Sequence, residues 1–113
     1  MGRAHLGGFE EELTRMATTV AKAADIAAGQ MGTFRADGNQ IDIANVDGQF
    51  YGFDDVCTHI GCSLYDGSLA GTVVTCPCHG SQFDVTTGAV VSGPARESIK
   101  TYPVEKVGDE LQV

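Results

Sequence analysis

Two short segments rich in cysteine and histidine constrain this chain of 113 residues more than any other feature. Residues 57–62 read C-T-H-I-G-C, and residues 76–81 read C-P-C-H-G-S. Sixteen residues lie between His59 and Cys76, so each segment can offer thiolates and one imidazole from its own loop. We therefore expect a metal centre that takes two thiolates and two imidazoles, one of each from either loop.

Two simpler interpretations of these segments remain open at this point. Zinc accepts the same ligand types in tetrahedral sets of two cysteines and two histidines, but it usually groups like ligands with C-x₂₋₄-C and H-x₃₋₅-H spacing. A scaffold of two disulfides would leave His59 and His79 without a role, and small disulfide proteins usually spend more of their length on cysteine. A C-x-x-C redox motif is absent from the sequence.

On these two motifs the chain resembles the Rieske iron–sulfur family over roughly residues 17–113. In a Rieske [2Fe–2S] centre, two histidines replace two cysteines on one of the two irons. The resemblance implies one cluster per chain, with the four ligands Cys57, His59, Cys76 and His79. It also implies a disulfide between Cys62 and Cys78, which joins the two loops in high-potential members of the family.

The resemblance assigns supporting roles to the residues around the ligands. Gly61 and Gly80 would let backbone N–H groups approach the sulfides, since glycine has no Cβ to clash. Ser81 would donate a hydrogen bond to a bridging sulfide, and Pro94 lies in a segment that resembles the proline loop covering the cluster. Phe83 stands where the highest-potential members carry a tyrosine, which predicts an intermediate reduction potential for this chain.

The rest of the sequence predicts short β-strands separated by glycine-containing turns. Hydrophobic alternation over 40–46 stops at Asp47-Gly48 and resumes over 49–53, which is a strong hairpin signal. Further strands are predicted at 18–22, 31–35, 72–75, 82–85, 99–106 and 110–113, with Pro103 marking an edge or a break. We predict an all-β antiparallel sandwich, the Rieske fold, with a small cluster-binding subdomain at about 54–92.

Length and charge limit the domain organisation and the partners. The chain is long enough for one domain, predicted over 16–113, while residues 1–15 are interpreted as an N-terminal extension without a role. A net charge of −8 argues against nucleic acid and against anionic membrane surfaces as partners. The sequence shows neither an apolar membrane anchor nor a signal peptide, so we expect a cytoplasmic location, in tension with the implied disulfide.

The sequence argues against an enzyme that acts on a small-molecule substrate by itself. An oxygenase iron site needs two further histidines, and only His5 lies outside the two motifs. The resemblance therefore implies a monomeric one-electron carrier, which takes electrons from a flavoprotein reductase and passes them to a terminal oxygenase. Two alternatives stay open: the Rieske subunit of a quinol-oxidising cytochrome bc-type complex, and the small subunit of a nitrite reductase.

Overall fold

Eleven short strands make up the computed structural model, which describes residues 19–36, 38–59 and 61–113. Within these ranges there is no α-helix, and two 3-10 turns lie at Ala23–Asp25 and Leu64–Asp66. The N-terminal extension predicted over residues 1–15 lies outside the described residues. The strands are β1 (Thr19–Lys22), β2 (Met31–Ala36), β3 (Asn39–Val46), β4 (Gln49–Asp54), β5 (Ser68–Ala70), β6 (Val73–Thr75), β7 (Gln82–Asp84), β8 (Val90–Ser92), β9 (Thr101–Tyr102), β10 (Glu105–Val107) and β11 (Glu110–Gln112).

The strands form three antiparallel sheets, which confirms the predicted all-β class. The central sheet has the order β2-β3-β4-β9, the basal sheet β1-β11-β10, and the distal sheet β5-β6-β7-β8. Each pairing in the three sheets is antiparallel. The distal sheet is built from one stretch of chain, so it forms a separate layer beyond the central sheet.

The hairpin of β3 and β4 follows the sequence prediction closely. The two strands pair from Ile41 opposite Asp54 to Val46 opposite Gln49. Asp47 and Gly48 join them with backbone φ angles of 53° and 91°. Positive φ at both central positions is the requirement of a type I′ turn, which matches the right-handed twist of the flanking strands.

Three strand predictions differ from the structure. The predicted strand over 99–106 is shorter and is divided into β9 and β10 at Pro103, where a break was one of the two predicted outcomes, because proline has no N–H to continue a ladder. The strands β5 and β8 were not predicted. Each has only three residues, too few for alternation to be recognised.

Two hydrophobic clusters lie on opposite faces of the central sheet. One contains Ile43 of β3 and Leu111 of β11, and it packs the central sheet on the basal sheet. The other contains Phe53 of β4 together with Cys57 and Cys76, and it fills the space between the central and distal sheets. The two free cysteines therefore lie at the edge of a well-packed core.

Candidate metal centre

The two cysteine and histidine loops have the same backbone hydrogen bonds. In the first loop, Cys57 donates its N–H to the Cys62 carbonyl at 2.9 Å, and Gly61 donates to the Cys57 carbonyl at 2.8 Å. In the second, Cys76 donates to the Ser81 carbonyl at 2.8 Å, and Gly80 donates to the Cys76 carbonyl at 3.2 Å. Each cysteine is thus fixed twice by its own loop.

Cys57 and Cys76 are the two free thiols of the chain. They are 1% and 2% exposed and belong to the same hydrophobic cluster. Burial raises the pKa of Cys76, and the neighbouring Cys57 side chain raises it further. Because ionising both thiols here is costly without a cation, the pair suits a cationic metal centre that binds thiolates.

His59 and His79 lie side by side at the surface. Both side chains are exposed, and their ring centroids are 5.3 Å apart with an interplanar angle of 68°. The structure therefore brings the two histidines together and the two cysteines together in the adjacent loops, with the thiols buried and the imidazoles exposed. This donor set of two thiols and two imidazoles has the composition of a Rieske centre.

A disulfide joins Cys62 to Cys78, as the resemblance implies. Their Cα atoms are 6.5 Å apart, and each residue comes from a different loop. The sulfur of Cys76 lies within 4.8 Å of both disulfide sulfurs. Since the disulfide sulfurs have no thiolate to offer, the free thiols of Cys57 and Cys76 are the candidate sulfur ligands.

The segment with Pro94 lies against the second loop. Ala95 donates its N–H to the Ser81 hydroxyl at 3.0 Å, which leaves the Ser81 hydroxyl proton free to be donated elsewhere. Gly93 has φ of 92°, and a Cβ built on it would be 2.6 Å from the Cα of Ser81. A residue with a side chain would therefore push this segment off the loop.

Gly61 and Gly80 have a conformational role in these loops. Their φ angles are 83° and 81°, in the region that favours glycine, and no described atom lies within 4 Å of a Cβ built on either one. Their N–H groups already donate to the cysteine carbonyls. The positive φ is itself a reason for glycine at both positions, and the predicted approach of their N–H groups to the sulfides stays a prediction.

Phe83 is fully buried on β7 and packs in the same hydrophobic cluster as Cys57 and Cys76. It is paired with Val74 of β6 in the ladder. The predicted placement of residue 83 near a ligand sulfur stays a prediction. The phenyl ring has no hydroxyl to donate.

Sequence reasoning did not single out a tether between the first loop and the segment after Pro94. Thr58 donates its hydroxyl to the Glu97 carbonyl at 2.6 Å. A groove at His59 is lined by Thr58, His59, Pro94, Arg96 and Glu97. No local sequence signal marks this contact, because its two partners are 39 positions apart.

Comparison with known proteins identifies the family to which this chain belongs. Residues 16–103 match the Rieske [2Fe–2S] domain, and the chain belongs to that family. It is 34% identical over 89 residues to the ferredoxin component of the naphthalene 1,2-dioxygenase system of Pseudomonas aeruginosa, covering 79% of this chain and 86% of that protein. It is 33% identical over 96 residues to the ferredoxin component of biphenyl 2,3-dioxygenase of Rhodococcus jostii (strain RHA1), covering 85% and 90%.

A solved structure extends this similarity to the fold. A chain in the complex of reduced oxygenase and oxidized ferredoxin in carbazole 1,9a-dioxygenase superposes with a TM-score of 0.83 and 32% identity, covering 87% of this chain and 92% of that chain. The homologues are ferredoxin components of dioxygenase systems, which are electron carriers and not enzymes. Among the described residues, no helix is both long enough and apolar enough to cross a membrane.

Proposed function

We propose that Cys57, His59, Cys76 and His79 hold one [2Fe–2S] cluster per chain, and that this protein carries single electrons with it. The observation that carries the proposal is the pair of buried free thiols beneath two adjacent exposed imidazoles. When bound, the cluster supplies the one-electron couple. The chain then acts through a single domain over 16–113, with the cluster-binding subdomain at about 54–92.

The four proposed ligands lie on two sides of the site, one buried and one exposed. Cys57 and Cys76 hold the inner side, where the hydrophobic cluster around Phe53 and Phe83 excludes water. His59 and His79 lie at the surface, so a partner that docks there meets the shortest route for an electron.

The partners follow from the relatives. The naphthalene and biphenyl proteins are by name components of dioxygenase systems, and the carbazole structure pairs a ferredoxin with its oxygenase. We propose that this protein takes electrons from a flavoprotein reductase and gives them to a terminal oxygenase, with no small-molecule substrate of its own. A monomer in the cytoplasm suits this role, because one histidine end must meet both partners in turn.

Electron transfer to an oxygenase tests the function directly. The protein, reduced chemically and freed of excess reductant, is mixed with the terminal oxygenase of an aromatic-ring dioxygenase system, and the visible spectrum is followed. We expect the protein to lose one electron per chain, while Cys57→Ser protein should lose none because it lacks the cluster. If a c-type cytochrome is reduced rapidly and the oxygenase is not, the quinol-oxidising alternative is supported instead.

A further inference from the structure

A buried carboxyl pair lies beneath the first ligand loop. Asp42 of β3 is fully buried, and neither of its carboxylate oxygens has a hydrogen-bond partner among the residues that the structure describes. It lies opposite Phe53 in the ladder, on the face of the central sheet that packs toward the site. The polar groups that face it are the Asp55 carboxyl and the Thr33 hydroxyl. A fully buried acid without a partner requires an explanation.

Asp55 connects this pair to the first loop. It is 7% exposed and lies between β4 and Cys57. Its Oδ1 accepts a hydrogen bond from the Ser63 hydroxyl at 2.9 Å and another from the Tyr65 N–H at 3.0 Å. Its carbonyl accepts from the Leu64 N–H at 2.7 Å. Asp55 therefore holds both ends of the loop over 57–62 together.

The surroundings of Asp42 favour its protonated form. Burial raises the pKa of Asp42 to about 9, and the adjacent Asp55 carboxyl, with its negative charge, acts in the same direction. Asp66 of the second 3-10 turn also raises it, whereas the Thr33 hydroxyl opposes the shift. Two adjacent buried carboxyls cannot both ionise cheaply. Asp55 Oδ1 accepts two hydrogen bonds, whereas neither Asp42 oxygen has a partner in the described part of the chain, so a proton on Asp42 would give this buried acid a donor for the Asp55 carboxyl.

We propose that Asp42 is a positioning residue for the metal centre, which as a neutral acid donates a hydrogen bond to the Asp55 carboxylate and so fixes the first ligand loop. This proposal deepens the proposed function, since it takes the loop over 57–62 to carry two of the cluster ligands. The network then runs from Thr33 on β2, through Asp42 and Asp55, to Ser63 at the end of that loop. Gln40 completes it by donating to the Thr33 hydroxyl oxygen at 2.7 Å.

The chain offers a matched set of variants for the test. Asp42→Asn keeps the size and a donor but cannot titrate, and Asp42→Leu removes the donor while keeping the same number and branching of side-chain heavy atoms. Asp109→Asn changes an exposed acid in the turn between β10 and β11 and serves as the control. All are prepared as cluster-containing protein alongside the wild type.

Infrared spectroscopy detects the Asp42 proton directly, whether or not the protein holds a cluster. At neutral pH the wild type and Asp109→Asn should show the carbonyl stretch of a protonated carboxylic acid, and Asp42→Asn should lack it. The band should disappear as pH rises through about 9. Absence of the band in the wild type, or its persistence in Asp42→Asn, would overturn the protonation of Asp42 whatever the fate of the cluster.

The rate of cluster loss to an iron chelator tests whether Asp42 positions the first ligand loop. When an opening exposes Asp42 to water, the side chain loses its proton at any pH between its ordinary pKa of 3.8 and about 9. The opening equilibrium is therefore favoured by up to tenfold per pH unit across this window, and it does not increase further above about pH 9. Wild type and Asp109→Asn should therefore lose cluster faster with rising pH than Asp42→Asn does, and Asp42→Leu should lose it fastest at pH 7. If Asp42→Leu does not fold, the comparison of the pH profiles of wild type and Asp42→Asn still tests the positioning role. Identical pH profiles in wild type and Asp42→Asn would refute the positioning role.

Discussion

The two ligand loops share one backbone conformation but are held in place by different means. In each, a cysteine N–H donates to the carbonyl five positions later, and a glycine with positive φ closes the turn four positions later. The first loop is fixed from below by Asp55 and on its outer side by the Thr58 tether. The second is covered by the segment around Pro94, through the Ser81 hydroxyl.

Cys62 and Ser81 occupy equivalent positions in the two loops, but their side chains have different partners. Both residues provide the carbonyl that accepts from the ligand cysteine of their own loop. The Cys62 side chain crosses to the other loop as a disulfide, whereas the Ser81 hydroxyl keeps a proton to donate locally. At these equivalent positions the first loop therefore has a covalent link to the other loop, and the second has a hydroxyl that accepts a hydrogen bond from the segment around Pro94.

The largest effect should come from removing one buried thiol from either loop. Cys57→Ser and Cys76→Ser should each abolish cluster binding, because a serine hydroxyl does not readily ionise to replace a thiolate ligand. Iron and sulfide analysis of purified protein checks this, with Cys62→Ser as the matched control that should retain both. If Cys76→Ser bound a full cluster, the two loops would not be equivalent in supplying sulfur.

A smaller effect is expected from opening the disulfide. The double variant Cys62→Ser, Cys78→Ser should assemble a cluster but lose about 3 kcal/mol of stability, the typical contribution of a link that closes a loop of some 15 residues. Chelator-driven cluster loss should be faster than in wild type. Equal rates in the two proteins would show that the remaining contacts, such as the Thr58 tether, already hold the loops together.

The smallest effects should be on the reduction potential, and they should arise from the second loop. Ser81→Ala should lower the midpoint potential, because it removes a donor that favours the reduced, more negative cluster. Phe83→Tyr should raise it if the new hydroxyl reaches a ligand sulfur. A hydrogen bond worth ~1.4 kcal/mol corresponds to roughly 60 mV for one electron.

Protein-film voltammetry on the wild type and these two variants measures the shifts. The potential of the wild type should lie within the Rieske range of about −150 to +300 mV. An unchanged or lower potential in Phe83→Tyr would mean that position 83 does not face a ligand sulfur.

The sequence predicted the features that depend on local patterns. The β3–β4 hairpin was predictable because alternation and Asp47-Gly48 agree on the same turn. Burial of Asp42 was not predictable, because it occupies a polar position in that alternation and both faces of β3 are covered in the fold. Contacts between distant segments, such as Ala95 with Ser81, likewise follow from the packing of the loops and have no local signal.

Metal content and electron paramagnetic resonance of the purified protein test the central claim most directly. The ligands Cys57, His59, Cys76 and His79 predict two irons and two sulfides per chain, a red-brown colour, and a Rieske-type signal that is absent in the oxidised protein and appears after one-electron reduction. A colourless preparation with one zinc per chain and no signal after reduction would contradict the account.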